Sequence, residues 1–344
     1  MLRHIQRRTA PALLAVVALG LIFSAGGSRA AEYDVFSTTA HTWQFASPAG
    51  NLSDEPSGIT ASRRNAGYVL WENEAPRGGM GMVYAVNSGG LRKTMKFAPT
   101  GGMLDFEDIA IGPCQGAGSA SCLWVGDIGK RSADFPASQK TTFWLYRMAE
   151  PDVANVANGS TLPITGRFGF TVPAGIAAEG KRYGGSVTTY DFETLMVHPR
   201  TGDIYLVTKG QNTAGLIRIL KLPQPLVNGA VQQLQVVKTF QMPHGPGWNP
   251  ATLAGEGYHL VTGGDIHPDG RRFVLRTYGY LWEFRGSDFA AALASTSPVR
   301  LPKAGGTLDQ QGEAFGYAPD GARYFTIGEK SPTITRSVVS FDRK

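Results

Sequence analysis

The sequence predicts an all-β fold, a β-propeller of five four-stranded blades, and three observations carry that expectation. The first is a pattern seen in Glu107-Asp108-Ile109-Ala110-Ile111-Gly112-Pro113, where a polar residue opens a short apolar run that reaches a turn former six positions later. It returns from Ser57 to Arg63, Glu193 to Pro199, Thr262 to Pro268 and Glu313 to Pro319. The second is an apolar run after each turn, rich in β-branched and aromatic residues, such as Tyr68-Val69-Leu70-Trp71 and Ile204-Tyr205-Leu206-Val207. The third is that the last unit is one strand short, whereas the alternating segment 33–45 belongs to no unit. Units of one register point to a repeat architecture, and a late-closing N-terminal strand removes an exposed sheet edge.

Taken in order, residues 1–30 read as a signal peptide. Arg3, Arg7 and Arg8 precede an apolar core over 12–23, and Ser28-Arg29-Ala30 supplies small residues for cleavage after Ala30. The apolar stretch is short for a membrane-spanning helix, so no span is expected after cleavage. Residues 31–344 are then one propeller domain, exported to the periplasm or the medium and monomeric. The chain carries 33 basic and 27 acidic residues. Removing the four arginines of the leader leaves 29 against 27, a net +2. With no Lys/Arg stripe, nucleic acid is not an expected partner. The two cysteines, Cys114 and Cys122, should form a disulfide in an exporting compartment.

Blade one is expected over 55–98, with strands near 58–62, 67–72, 81–87 and 92–98. Blade two uses strands from 105, over 123–126, 142–147 and 167–172, with 149–163 as a polar surface loop. Blade three takes 192–197, 203–208, 215–220 and 231–240. Blade four takes 260–266, 271–276, 278–284 and 299–301, preceded at 288–294 by two turns of helix. Blade five has 313–317, 322–327 and 334–341, and 33–45 completes it. Six blades is the alternative, because 175–190 and 242–258 have room for degenerate strands.

First strands line a propeller's channel, so the repeat register gives a ring of Ser57, Glu107, Glu193, Thr262 and Glu313, with Asp105 and Asp265 within reach. Carboxylates crowded around one axis repel when ionised, so they either hold protons or share a cation. Glu107, Glu193, Glu313 and Asp265 are therefore the candidate metal ligands. All-oxygen donors select a hard divalent cation, Ca2+ before Mg2+ or Mn2+. The competing expectation is a ring bonded to backbone amides and channel water. His198 and His267, each just before a turn proline, belong at the opposite rim as structural groups.

The ends of the second strands give a second ring of Asn73, Asp127, Lys209, Arg276 and Glu329, crowning the mouth where the Glu ring begins. Carboxylates beside cations suit an anionic small molecule bridged to a metal. Asp127 or Glu329 is the candidate base, and Lys209 and Arg276 the candidates for stabilising negative charge. The competing expectation pairs Lys209 with Glu193 and Arg276 with Asp265 as structural ion pairs. A serine-hydrolase elbow, a phosphate-cradling loop and a clustered His motif are absent from the sequence.

The segments DFEDIAIGP, LWVGDIGK, FETLMVHPRTGDIYLVTKG, VTGGDIHPDGRRFVLRTYG and QGEAFGYAPDG, in this order, resemble a family of exported bacterial β-propeller proteins over nearly all of residues 31–344. The resemblance implies the fold and export rather than a particular activity. A GDIGDN-like motif is usual in that family, whereas here Gly126-Asp127-Ile128-Gly129 continues into Lys130-Arg131. More distantly, the channel-lining Glu residues are similar to those of calcium-activated nucleotidases and gluconolactonase-type propellers, which implies metal-dependent hydrolysis of a small ester, lactone or phosphoester. The alternative expectation is a non-catalytic module of the cell envelope that binds a peptide or glycan around a structural cation.

Overall fold

A computed structural model describes residues 36–46, 55–73, 79–100, 104–114, 120–129, 140–174, 190–210, 216–245, 259–305, 308–329 and 335–344. The leader 1–30, the expected cleavage site and Lys130-Arg131 lie outside the described residues, and side chains are not described for Asn73. Five antiparallel sheets make five blades. Blade 1 runs outward through β2 (Pro56–Ala61), β3 (Val69–Asn73), β4 (Gly81–Asn87) and β5 (Gly90–Phe97). Blade 2 follows with β6 (Phe106–Pro113), β7 (Ser121–Asp127), β8 (Phe143–Ala149) and β9 (Ile164–Thr171). In blade 3, β10 (Phe192–Val197), β11 (Ile204–Thr208) and β12 (Leu216–Lys221) lead to an outer strand, β14 (Gln235–Gln241), after the short β13 (Val231–Gln233).

Blade 4 holds β15 (Val261–Ile266), β16 (Arg272–Thr277), β17 (Leu281–Arg285) and β18 (Val299–Leu301), the last reached through helix α1 (Phe289–Ala294). Asp288 caps that helix by accepting from Ala291 N, the usual way a short polar side chain satisfies a free amide. Blade 5 has β19 (Gly312–Tyr317), β20 (Arg323–Gly328) and β21 (Thr335–Arg343), and β1 (Phe36–Ala46) is its outermost strand. The N-terminal strand closes the ring, pairing Trp43 with Val338 and Phe45 with Arg336. Inner strands neighbour one another in the order β2, β6, β10, β15, β19 and back to β2, so the ring has five members rather than six. The stretches that left room for a sixth blade fall largely outside the described residues.

Alternation puts one face of each sheet against the next, and the buried apolar side chains accordingly form five clusters, each spanning two adjacent blades. Between blades 1 and 5, for instance, Trp71 stacks on Tyr84 at 4.1 Å and packs with Phe45 and Ile327.

Two edges differ from expectation. The segment 231–240 is not one strand: β13 pairs in parallel with β9 of blade 2, Val231 opposite Gly169, and only β14 belongs to blade 3. The loop at 149–163 likewise lies along β5, with Lys96 N donating to Ser160 O at 2.9 Å and Leu162 N to Lys96 O at 2.6 Å. In both places a following blade's connection satisfies the free edge of the preceding one, which explains why polar sequence there is not simply loop.

Candidate metal centre at the channel mouth

Every inner strand begins with a β-bulge. The register slips by one residue between Pro56 and Ile59, Phe106 and Asp108, Phe192 and Thr194, Val261 and Gly263, and Gly312 and Ala314. In four blades the residue left without a cross-strand partner is Glu107, Glu193, Thr262 or Glu313; in blade 1 Ser57 lies in the bulge with Gly58. A bulge re-aims the extra side chain. The repeated ring is thus built by one backbone device used five times, and its acidic members are buried: Glu107 is 9%, Glu193 3% and Glu313 5% exposed.

Glu107, Asp191 and Glu193 each offer a carboxylate oxygen, and these oxygens lie within 4.8 Å of one another, a spacing that suits one metal ion. Asp191 escaped the sequence reading, although a signal exists. Blades 2 and 3 share the tripeptide Asp-Phe-Glu, at Asp105-Phe106-Glu107 and Asp191-Phe192-Glu193. Gly129 permits the crowding, since a Cβ there would overlap the carboxylates of Glu107 and Asp105.

Beside the triad, Lys209 Nζ stands 2.6 Å from Glu193 Oε1. Burial alone would lower its pKa, but the neighbouring carboxylates, Glu193 first and then Glu313 and Asp191, outweigh that and hold it well above the ordinary lysine value. Burial pushes the Glu193 carboxyl up to about 7, against the opposing pull of Lys209. Burial likewise raises Glu313 well above the carboxylate range, with Lys209 again opposing. Glu193 and Glu329 are close enough to raise the Glu313 carboxyl further. Gln311 Nε2 donates to Glu329 Oε2. Glu313 Oε2 is buried with no hydrogen-bond partner. Carboxylates this close together repel when ionised, which protons or a shared cation would relieve.

The remaining candidates lie elsewhere. Asp127 is buried and ion-paired with Lys140, and its Oδ1 accepts from Asp105 N at 2.9 Å; burial raises its pKa, with Lys140 opposing. Arg276 is completely buried; it pairs with Asp309 and donates to Ala314 O at 2.6 Å, so its partner is not Asp265. Asp265 sits deeper along β15 and links two blades, accepting from Ile266 N at 2.8 Å and from Tyr317 N at 2.9 Å. Asp108 does the same between blades 2 and 3 through Ile109 N and Leu195 N, each at 2.8 Å. His198 and His267 lie at the far rim, where His198 Nε2 is 3.3 Å from Gly270 O and the His267 ring covers Gly321.

Burial raises Asp265 to about 6 despite its two amide donors. It therefore binds its proton more tightly folded than unfolded. Its contribution to stability is complete below the ordinary value of 3.8 and is lost as pH rises through about 6. The gap corresponds to no more than about 3 kcal/mol. Thermal melts from pH 4 to pH 7 should show stability falling, and Asp265→Asn should make the fall shallower. An unaltered slope would assign it to other groups.

No protein-family model matches the chain, and no curated protein matches it in sequence. Among solved structures, the chain is similar to a functionally unknown protein from Desulfotomaculum acetoxidans DSM 771, at 11% identity and a TM-score of 0.36, over 79% of this chain and 64% of that chain. The chain thus spans less than two thirds of that protein's length.

Proposed function

We propose that the channel mouth binds a divalent cation, Ca2+ first among the hard cations, and hydrolyses a small anionic ester, lactone or phosphoester there. The observation that carries this reading is the buried Glu107, Asp191 and Glu193 triad, with its oxygens within 4.8 Å of one another, next to Lys209. Carboxylate oxygens are hard donors, which fits Ca2+ better than a softer metal. A bound cation would polarise a carbonyl or phosphoryl oxygen and make attached water more acidic. Lys209 supplies a positive charge for the substrate's anionic group. Glu329, at the border of burial, hydrogen-bonded to Gln311 and near Glu313, is the acid-base group in this reading. Asp127 and Arg276 serve the scaffold in this reading, since Lys140 and Asp309 already satisfy them.

That last observation also favours a second reading, in which the cation is structural and the mouth binds an envelope peptide or glycan without turning it over. Purified protein assayed on ester, lactone and nucleotide panels, with Ca2+ and with EDTA, separates the two. Turnover that needs the cation and falls at least tenfold in Lys209→Met supports hydrolysis; cation binding without turnover on any panel supports the module. The Cys114–Cys122 disulfide accords with residence outside the cytoplasm, and no helix of the described residues is long and apolar enough to cross a membrane.

A further inference from the structure

The far rim of the propeller repeats a second device, and it lapses once. At the end of each first strand one backbone N–H closes the turn: Ser62 N to Tyr68 O, Cys114 N to Ala120 O, His198 N to Asp203 O, His267 N to Arg272 O and Ala318 N to Arg323 O. Four of these five equivalent side chains are engaged. Ser62 Oγ donates to Glu150 of blade 2, Cys114 is in the disulfide, His198 reaches the Gly270 carbonyl of blade 4, and His267 covers Gly321 of blade 5. The fifth, Ala318, is too short to reach across. The position a Cβ would take on the blade 1 turn glycine, Gly67, has nothing within 4 Å, whereas at Gly270 the His198 ring is 2.9 Å away.

The result is a cavity of about 640 Å3 at the seam of blades 5 and 1, within the range of small-molecule sites. Tyr68, Ala318 and Phe325 give its lining apolar groups, and it is also lined by Arg63. Its guanidinium donates to Ile111 O at 3.0 Å, and no carboxylate of the described residues lies within ion-pair distance. Of the nearby acids, Glu150 accepts from Ser62, Arg63 N, Arg64 N and Ser121, Asp265 from two amides, and Asp320, which lines the cavity, from Ala322 N. Arg323 and Asp342, which also line the cavity, pair with each other.

We propose that this seam is a binding site for a carboxylate joined to an apolar or aromatic group, with Arg63 taking the carboxylate and the Tyr68, Ala318 and Phe325 wall taking the ring. An arginine with donors to spare matches a carboxylate in a fork geometry. The apolar group occupies the space that a histidine fills at two other seams. Such a carboxylate belongs either to a free small acid or to the C-terminus of a peptide.

Titration calorimetry with N-acetyl-L-phenylalanine, with its primary amide, and with a tetrapeptide ending in phenylalanine tests the site. The acid should bind with a Kd on the order of 1 mM or tighter, and the amide about tenfold more weakly or worse. Arg63→Met should lower affinity by a similar factor. Ala318→His, which restores the pattern of the neighbouring seams, should remove binding from a protein whose melt stays cooperative. Tighter binding of the tetrapeptide identifies a chain terminus as the ligand, and equal or weaker binding a free acid. Equal affinity for acid and amide, no saturable binding of any of the three, or unchanged affinity in both variants overturns the proposal.

Discussion

Replacing Arg276 by methionine should cost about 3–5 kcal/mol, because it leaves a buried carboxylate short of its main partner. Arg276 has no exposure; it pairs with Asp309, itself 3% exposed, and bonds the Ala314 carbonyl of the neighbouring inner strand. Lys303 remains 3.1 Å from Asp309 Oδ2, which places the loss toward the lower end of that range. Chemical denaturation reads it as a lower midpoint with an unchanged slope. The pairing holds blade 4 to blade 5, so the loss belongs to stability. Cation affinity in the folded variant should stay within about twofold of wild type. A stable variant with lost cation affinity would instead make Arg276 a group of the mouth.

The second large effect is stabilisation by a cation. A ligand that binds only the folded chain adds about 2.7 kcal/mol at a hundredfold excess over its Kd. For a domain of this size that raises Tm by about 4 °C. Glu107→Gln is the informative variant, since it removes one charge of the triad at nearly constant volume and leaves the Lys209 to Glu193 pair in place. Its Tm in EDTA should equal or exceed that of wild type, because like charges no longer crowd the site, while the rise with Ca2+ should largely vanish.

The repeat was legible because a propeller must return one side-chain pattern per blade. The polar residue opening each first strand proved to be the bulge residue in four blades and to share the bulge with Gly58 in blade 1, and 33–45 closes the ring through β1 as the missing fourth strand implied. The bulge itself was not legible, since a one-residue slip leaves the composition of a strand unchanged. Nor were the partners of the mouth groups. Lys140 and Asp309 lie outside the repeated register, so nothing in the spacing of Asp127 or Arg276 announced that these buried charges were already matched. Asp191 was hidden differently. It precedes the inner strand, where register arguments stop, and only the shared Asp-Phe-Glu of blades 2 and 3 marks it. The 231–240 run read as a single strand because both β13 and β14 have strand composition. What divides them is Leu234, 1% exposed and packed in the core between blades 2 and 3.

Calorimetric titration of the EDTA-treated protein with Ca2+ tests the metal centre most directly, with Glu107→Gln and Glu193→Gln titrated alongside. The account predicts one saturable site per chain in the wild type, and affinity at least tenfold weaker in each variant, because each removes one of three oxygen donors that meet within 4.8 Å. Absence of a saturable site for Ca2+, Mg2+ or Mn2+ in the wild type, or the same affinity in both variants, would contradict it and leave the carboxylates as a proton-sharing lining of the channel.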